Sequence, residues 1–389
     1  MKLSALIKEG LIDSFIIWRQ ELKNIFKDVG VIIFFIVVPL LYPVLYGLIY
    51  NPETIKEVPL IVVDESHSSL AREFVRKIDA TGDVSVYAFA ANMDEAKKWM
   101  DEKKAYGILR IPVEFSKNIY RGDQSTVSLY IDMSGMLFYK AILLATTEAS
   151  FEMGNVIHIE ETVAPIVYEA VSLYNPQSGF AAFLVPAILV LVIQQTLLLG
   201  VGMLTATTRE KNGNQLIPKN LPYVGTHRIV YGKALAYFTV YIFISIWAFV
   251  IVPRLFDLPQ IAQYKNVLLF MLPYLFSCIF FSMIIASFIR GREMPMMIFV
   301  FTSLIFLFIS GISWPASAVP DFWKYFSYLF SSTFGIQGFV KLNSMGASLS
   351  EVKFEYQMLW LQAGIYFLIT FLIYRHNVMK IRIKEDSYT

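Results

Sequence analysis

One cysteine and four histidines are all the thiol and imidazole chemistry that this 389-residue sequence contains. Cys278 lies within a long uncharged run, so no disulfide forms within the chain and cysteine usage leaves the redox compartment open. His67, His158, His227 and His376 are scattered, and none has a neighbour at the spacing a zinc site needs. The phosphate-cradling pattern G-x-x-x-x-G-K-S/T is missing as well. Its nearest approximation, Gly225 to Gly232-Lys233, has the wrong spacing and continues into alanine, so this chain binds no ATP by that route. Charge is scarce too: 16% of residues are charged and 56% hydrophobic, where a soluble protein carries about a quarter charged. Part of this chain lives in lipid.

The charge is missing in blocks. Uncharged intervals run over 29–52, 170–208, 234–253, 266–289, 294–320 and 356–374. Each can hold an apolar helix of the roughly 20 residues that span a hydrocarbon core. A seventh interval, 325–340, is 16 residues long and broken by Gly335 and Gly338, too short and too interrupted to cross. The pattern predicts crossings at 29–50, 179–206, 229–252, 266–289, 294–312 and 356–374. An outer loop at 313–355 contains a partial, re-entrant element, flanked by Trp314, Trp323, Tyr325 and Tyr328, residue types that favour the interface. The first apolar run begins after 28 residues and lacks a small-x-small cleavage pattern, which reads as a retained anchor.

The missing charge reappears in residues 51–178, which carry 12 Lys/Arg and 19 Asp/Glu for a net of −7, against +9 for the rest. One water-facing domain is inserted between the first two crossings. Its pattern alternates: a β-branched strand at Val58–Asp64, a helix at Ser68–Ala80, a strand at Asp83–Phe89, a helix at Asn92–Lys104 and a strand at Tyr106–Ile111. A short helix at Val113–Arg121, a Gly122-Asp123 turn and a strand at Thr126–Asp132 follow, then a helical stretch from Met136 to about Val171. Ser69 and Asn92 fit as N-caps, with Glu73 and Glu95 in the first turns. The Asp64-Glu65-Ser66 turn reads as a cap at a strand end. With no nucleophile-base pair and no metal cluster, residues 57–135 are expected to be an independent fold that docks a partner or gates, without catalysis. The predicted fold class is therefore an α-helical multi-pass membrane protein of six transmembrane helices, with an α/β extracytoplasmic domain between the first and second.

Basic residues orient the chain. With the N-terminus inside, the inner segments 1–28, 206–228, 289–294 and 375–389 hold 15 Lys/Arg, and the short outer loops 253–265 and 313–355 hold five. Both termini are then cytoplasmic and 51–178 is outside. Before the first crossing, Leu11, Phe15, Trp18, Leu22 and Phe26 recur at helical spacing, with Lys8, Asp13, Arg19, Lys23 and Lys27 elsewhere. That is an amphipathic helix suited to the inner interface, its cations toward anionic lipid, or to a partner protein.

Within the crossings the only charge is Lys233, near the inner end of the third. Ion-coupled transporters place ionisable groups in the bilayer, at a cost of roughly 2.5–3.5 kcal/mol or more each. A transporter built this way needs an external motor, reached through short inner segments. Gln194, Gln195 and Thr196 sit near the middle of the second crossing, where an unpaired amide is costly, so they bond a neighbouring helix or line a wet path. Pro39, Pro43 and Pro186 are expected to kink their helices.

The largest inner loop, 207–228, opens Thr207-Thr208-Arg209-Glu210-Lys211-Asn212-Gly213-Asn214-Gln215-Leu216-Ile217-Pro218. It resembles the segment after the second crossing in permease subunits of ATP-binding-cassette transporters of the type-2 export class. The outer domain, with Val62-Val63-Asp64-Glu65-Ser66, Ile111-Pro112-Val113-Glu114-Phe115-Ser116 and Val127 to Asp132, looks like the large-ectodomain branch of these permeases, among them multidrug-efflux subunits. Ser310-Gly311-Ile312-Ser313-Trp314-Pro315 and Pro320 match its small-Gly, Pro and Pro signature before the outer re-entrant element.

The resemblance implies a coupling helix that seats in a groove of a separate cytoplasmic ATPase, with the roles falling on Arg209, Glu210, Lys211, Gly213, Leu216 and Pro218. Asn212 and Asn214 stand where the family often has arginine and threonine. It implies a dimer with a second copy or similar permease in a bacterial inner membrane, export of an amphiphilic drug, lipid or hydrophobic peptide, and a periplasmic adaptor as a further partner. It also implies no nucleic acid, no cofactor in this chain, and ATP-Mg in the ATPase, so that the chain is not an enzyme by itself. The alternative class is a non-transporting scaffold whose outer domain recruits a periplasmic partner.

Overall fold

The computed structural model describes residues 3–50, 56–132, 136–158, 180–218, 225–257, 260–311 and 319–386. Two compact units emerge, Met1–Asn51 with Leu173–Thr389, and Pro52–Ser172.

In the first unit, α1 (Leu3–Ile25) precedes an apolar rod made of α2 (Val29–Ile32), a π-helical turn at Ile33–Val37 and α3 (Val38–Tyr50). The wide turn has a local cause. Pro39 has no N–H and its ring crowds the carbonyl four residues back, so the ladder widens just before it and Val38 N–H reaches Ile33 O. The same device recurs further on, where Trp247–Ile251 is π-helical before Pro253.

The second unit runs β1 (Val58–Asp64), α4 (Ser69–Ala80), β2 (Val84–Phe89), α5 (Met93–Asp101), β3 (Gly107–Ile111), α6 (Phe115–Tyr120), β4 (Ser128–Ile131) and α7 (Met136–His158). The sheet order is β2-β1-β3-β4; β1 is parallel to β2 and β3, and β4 is antiparallel to β3. Alternation sends Leu60, Val62 and Leu109 to one face, against Phe74, Val75 and Ile78 of α4 and Ile142, Ala145 and Ala149 of α7. Ile61, Val63 and Ile108 pack on the other face with Ala96 of α5. Because α7 supplies a wall of this core, the fragment 57–135 lacks part of its own fold, contrary to the expectation from sequence. Asn92 caps α5 through Glu95 N, but the cap of α4 is Ser68 and not Ser69.

The first unit resumes with α8 (Phe180–Lys211), α9 (Thr226–Ile246), the second π turn and α10 (Val252–Leu255), then α11 (Tyr264–Phe288), α12 (Met294–Ile309), α13 (Asp321–Ser327), α14 (Ser331–Met345) and α15 (Lys353–Asp386). Five helices among the described residues are long and apolar enough to cross a membrane: Val29–Ile49, Leu184–Lys211, Thr226–Leu255, Tyr264–Phe288 and Lys353–Ile383. The chain is a multi-pass membrane protein. Residue 312 falls outside the described residues, and within the expected crossing at 294–312 lies the 16-residue α12. At 1.5 Å per residue that is about 24 Å, short of a hydrocarbon core of about 30 Å. It stops at Gly311, whose φ of 85° is left-handed. The last crossing, expected at 356–374, continues unbroken through most of the segment read as a tail, 375–389.

Most of the partial entry at 325–340 belongs to the helix α14, packed among α8, α11 and α15, with Phe334, Ile336, Phe339 and Leu342 buried. Gly335 and Gly338, which looked like interruptions, are what admits it: a Cβ at Gly335 would lie 2.4 Å from Tyr274 Cε2, and one at Gly338 2.3 Å from Phe270 Cζ.

Candidate functional site

The C-terminal end of α8 is where the sequence pointed, and its residues divide into two sets. Arg209 turns inward. Its guanidinium donates to Ser287 O at 2.5 Å, in the last turn of α11, and to Asn214 Oδ1 at 3.4 Å. A cation on the terminal carbonyls of a helix is favourable by both hydrogen bonding and dipole. Glu210 and Lys211 belong to the last turn of α8, not to a separate coupling helix, and they are exposed along with Gly213. The chain then reverses through Gly213 (φ 60°) and Asn214 (φ 66°), positions that glycine and asparagine adopt most readily. Leu216 and Ile217 are buried and Pro218 half-buried, so the turn is pinned at its far side.

Beside this tip lies Asp28, which sequence reasoning treated only as a boundary. One carboxylate oxygen caps α2, accepting from Gly30 N at 3.1 Å and Val31 N at 3.4 Å. The other accepts from Thr207 Oγ1 at 3.0 Å and pairs with Arg292. The signal was available: an aspartate immediately before an apolar run is an N-cap pattern. A cavity of about 900 Å³ opens here, bounded by Gln20, Asn24, Lys211, Pro218 and Arg292.

Helix α1 is bound into the same region. Leu11, Phe15 and Phe26 are exposed, while Ile17, Glu21 and Ile25 are buried against α9. Close approach is allowed by Gly232, where a Cβ would lie 2.8 Å from Ile17 Cγ2 and from Ser14 O. Two ion pairs fix the register: Asp13 with Arg228, and Glu21 with Lys233, Nζ to Oε1 2.9 Å. Tyr237 donates to the same Glu21 oxygen at 2.5 Å. Lys233, the lone charge in the expected crossings, therefore has its counter-ion on α1, a partner the sequence did not disclose.

At mid-span the three polar residues separate, as a rotation of about 100° per residue dictates. Gln194 Oε1 accepts from Ser332 N, at the start of α14, at 2.6 Å, and from Cys278 Sγ at 3.8 Å. Gln194 thus holds the entry helix in place, alongside the Ser277–Ser331 hydroxyl pair at 2.6 Å. Thr196 donates to Val192 O at 2.7 Å within its own helix. Gln195 points elsewhere: Nε2 lies 3.4 Å from Thr302 Oγ1 of α12, and its buried Oε1 has no partner among the described residues. Gln195 and Thr196 line an apolar cavity of about 260 Å³ together with Tyr42, Val192, Phe299 and Leu307.

Of the Gly, Pro and Pro signature, Gly311 ends α12, Pro320 precedes α13, and Pro315 lies outside the described residues, as do Ile312, Ser313 and Trp314. In the second unit, Asp64 accepts from Ser66 N at 3.0 Å and His67 N at 3.1 Å, a strand-end turn. Glu65 forms a two-pronged pair with Arg110, which raises the guanidinium's already high pKa. Among the described residues no group of three or more His, Cys, Asp or Glu is placed to hold a metal ion.

A model of the family described as ABC-2 family transporter protein matches residues 29–372. No curated protein matches the chain.

Proposed function

Because the chain belongs to the ABC-2 family of transporter proteins, and so is a membrane permease subunit working with an ATP-binding-cassette partner, we propose that it forms the translocation path of an ATP-driven exporter. It does so as a dimer with a second copy or a similar permease, in a bacterial inner membrane; with the short α12 counted as a crossing beside the five longer helices, both termini lie in the cytoplasm and residues 51–178 outside. The chain itself catalyses nothing; ATP and Mg²⁺ are held by the ATPase. The outer unit is the surface for a periplasmic adaptor, and the exposed apolar stripe of α1 rests in anionic lipid.

One observation carries this reading. Helix α8 is unbroken from Phe180 to Lys211, about 48 Å at 1.5 Å per residue, and it joins the exposed tip to the mid-span amides. Glu210, Lys211 and Gly213 are the contact with the ATPase, while Arg209, Leu216 and Pro218 keep the tip attached to the bundle. A displacement applied at the tip is then passed along a stiff rod to Gln195, Thr196 and the cavity they line. The cavity's walls suit an amphiphilic drug, a lipid tail or an apolar peptide side chain, with the Gln195 carbonyl, unpartnered among the described residues, accepting one donor.

Co-purification and transport in reconstituted vesicles test this. Glu210→Lys should release the ATPase, or leave it hydrolysing without transport, while the permease stays inserted. Gln195→Leu should keep the ATPase bound and change export of amphiphiles. Unchanged capture and transport in Glu210→Lys would refute the coupling role.

A further inference from the structure

The second unit has a cavity that neither sheet nor helix packing requires. About 340 Å³ in volume, it lies between α4, α6 and α7 and the turn after α6, within the size range of small-molecule sites. Its floor is apolar: Phe74, Phe115 and Met153 are themselves buried, and the two rings sit 5.9 Å apart, tilted by 31°. Its rim is polar, and Asp123, exposed just past Gly122, is the one charged residue of the lining. Ser125 also lines it, with a buried hydroxyl that has no partner among the described residues. A buried polar atom without a partner is rare unless something outside the chain supplies one.

We propose that this cavity is a binding site for a small cationic amphiphile, an aromatic or branched apolar body carrying a protonated amine. The body lies on Phe74, Phe115 and Met153. The ammonium sits at Asp123, donates an N–H to Ser125 Oγ, and gains further attraction from the aromatic faces. An anionic ligand of the same shape meets a carboxylate at the rim and no cation among the described lining residues, so the site discriminates by sign. It is a receiving site for soluble ligand in the outer unit, separate from the mid-span cavity.

Position 154 offers a clean way to close it. Gly154 lines the cavity on α7, and a Cβ there meets nothing within 4 Å, so the side chain of Gly154→Phe starts unobstructed and is expected to occupy the space. The test uses the full-length protein in phosphatidylcholine nanodiscs and saturation-transfer NMR with phenethylammonium, corrected for empty discs. Wild type should transfer saturation to phenethylammonium and not to 3-phenylpropionate. Gly154→Phe should abolish the signal at an unchanged melting temperature, and Asp123→Asn and Ser125→Ala should each weaken it several-fold. Equal signals from the two probes, no signal from wild type, or full signal in Gly154→Phe would overturn the site. Should Gly154→Phe fail to fold, undiminished binding in both rim variants overturns it instead. Glu210→Lys should leave the signal untouched, so failure here is distinguishable from failure of the coupling reading.

Discussion

Separating Glu21 from Lys233 should detach α1 from the bundle. Their side chains retain only about a twentieth of their exposure, 6% and 5%, and Glu21 receives hydrogen bonds from both Lys233 and Tyr237. Replacing Lys233 by methionine leaves a carboxylate in a dry site with one phenol for company, and removing one partner of a buried pair costs about 3–5 kcal/mol. Glu21→Leu strands the ammonium and should cost a similar amount. The double variant Glu21→Leu/Lys233→Met removes both charges and restores apolar volume but leaves the buried Tyr237 hydroxyl without its acceptor, so it should lie about 1–3 kcal/mol below wild type, far less than the sum of the two single losses. Tyr237→Phe, which removes one bond to a charged acceptor, should cost about 1.5–3 kcal/mol. Equilibrium denaturation in bicelles reads these differences. Trp18 on α1, whose indole donates to Thr239 Oγ1 at 3.1 Å, reports the docking by its fluorescence. Additive losses in the double variant would refute the reasoning, because the pair would then contribute nothing through its mutual contact.

Three further outcomes are expected. In a Cys278→Ser background, a cysteine at Ser85 should react with an impermeant thiol reagent in intact cells, and one at Lys211 only after permeabilisation; outside labelling at 211 would reverse the proposed orientation. Gly335→Val should sharply lower the yield of monodisperse protein, since a Cβ 2.4 Å from Tyr274 Cε2 forces a buried aromatic aside, with overpacking costing about 1–3 kcal/mol or more; wild-type thermal stability would refute it. Glu351 accepts from Ser348 N at 2.6 Å and Ser348 Oγ at 2.8 Å, and these bonds hold its pKa below the usual 4.5. A depressed carboxylate stabilises above its unfolded pKa and loses that contribution as pH falls through the folded one. The small deficit of Glu351→Gln at neutral pH should therefore vanish on acidification below 4.5; a deficit that persists there would refute the cap.

The legible features were those that a short stretch of chain specifies by itself. The β-branched run Val58–Asp64 is a strand with those ends, Asn92 caps its helix, and five of the apolar runs hold helices long enough to cross. Features that depend on a distant partner were not. Nothing near Lys233 names Glu21 on another helix, and nothing in the order Arg209-Glu210-Lys211 says that the first turns in and the next two turn out. Gly335 and Gly338 read as breakers because their value lies in Tyr274 and Phe270, side chains far back in the sequence on α11. Charge-free length overstated α12, since an interval without charges does not record where the helix inside it stops.

Each π turn accommodates one residue beyond what an α-helix of the same height would use, its hydrogen bonds reaching back five residues instead of four. Removing a single residue from Ile33–Val37 would let the ladder close as ordinary α-helix while Val29–Ile32 and Val38–Tyr50 keep their faces aimed as before. The same deletion a turn later would rotate everything beyond it by about 100° and turn the buried stripe to lipid. Tolerance to loss of a residue should thus be concentrated in two narrow windows of the chain, 33–37 and 247–251, each standing two residues ahead of a proline.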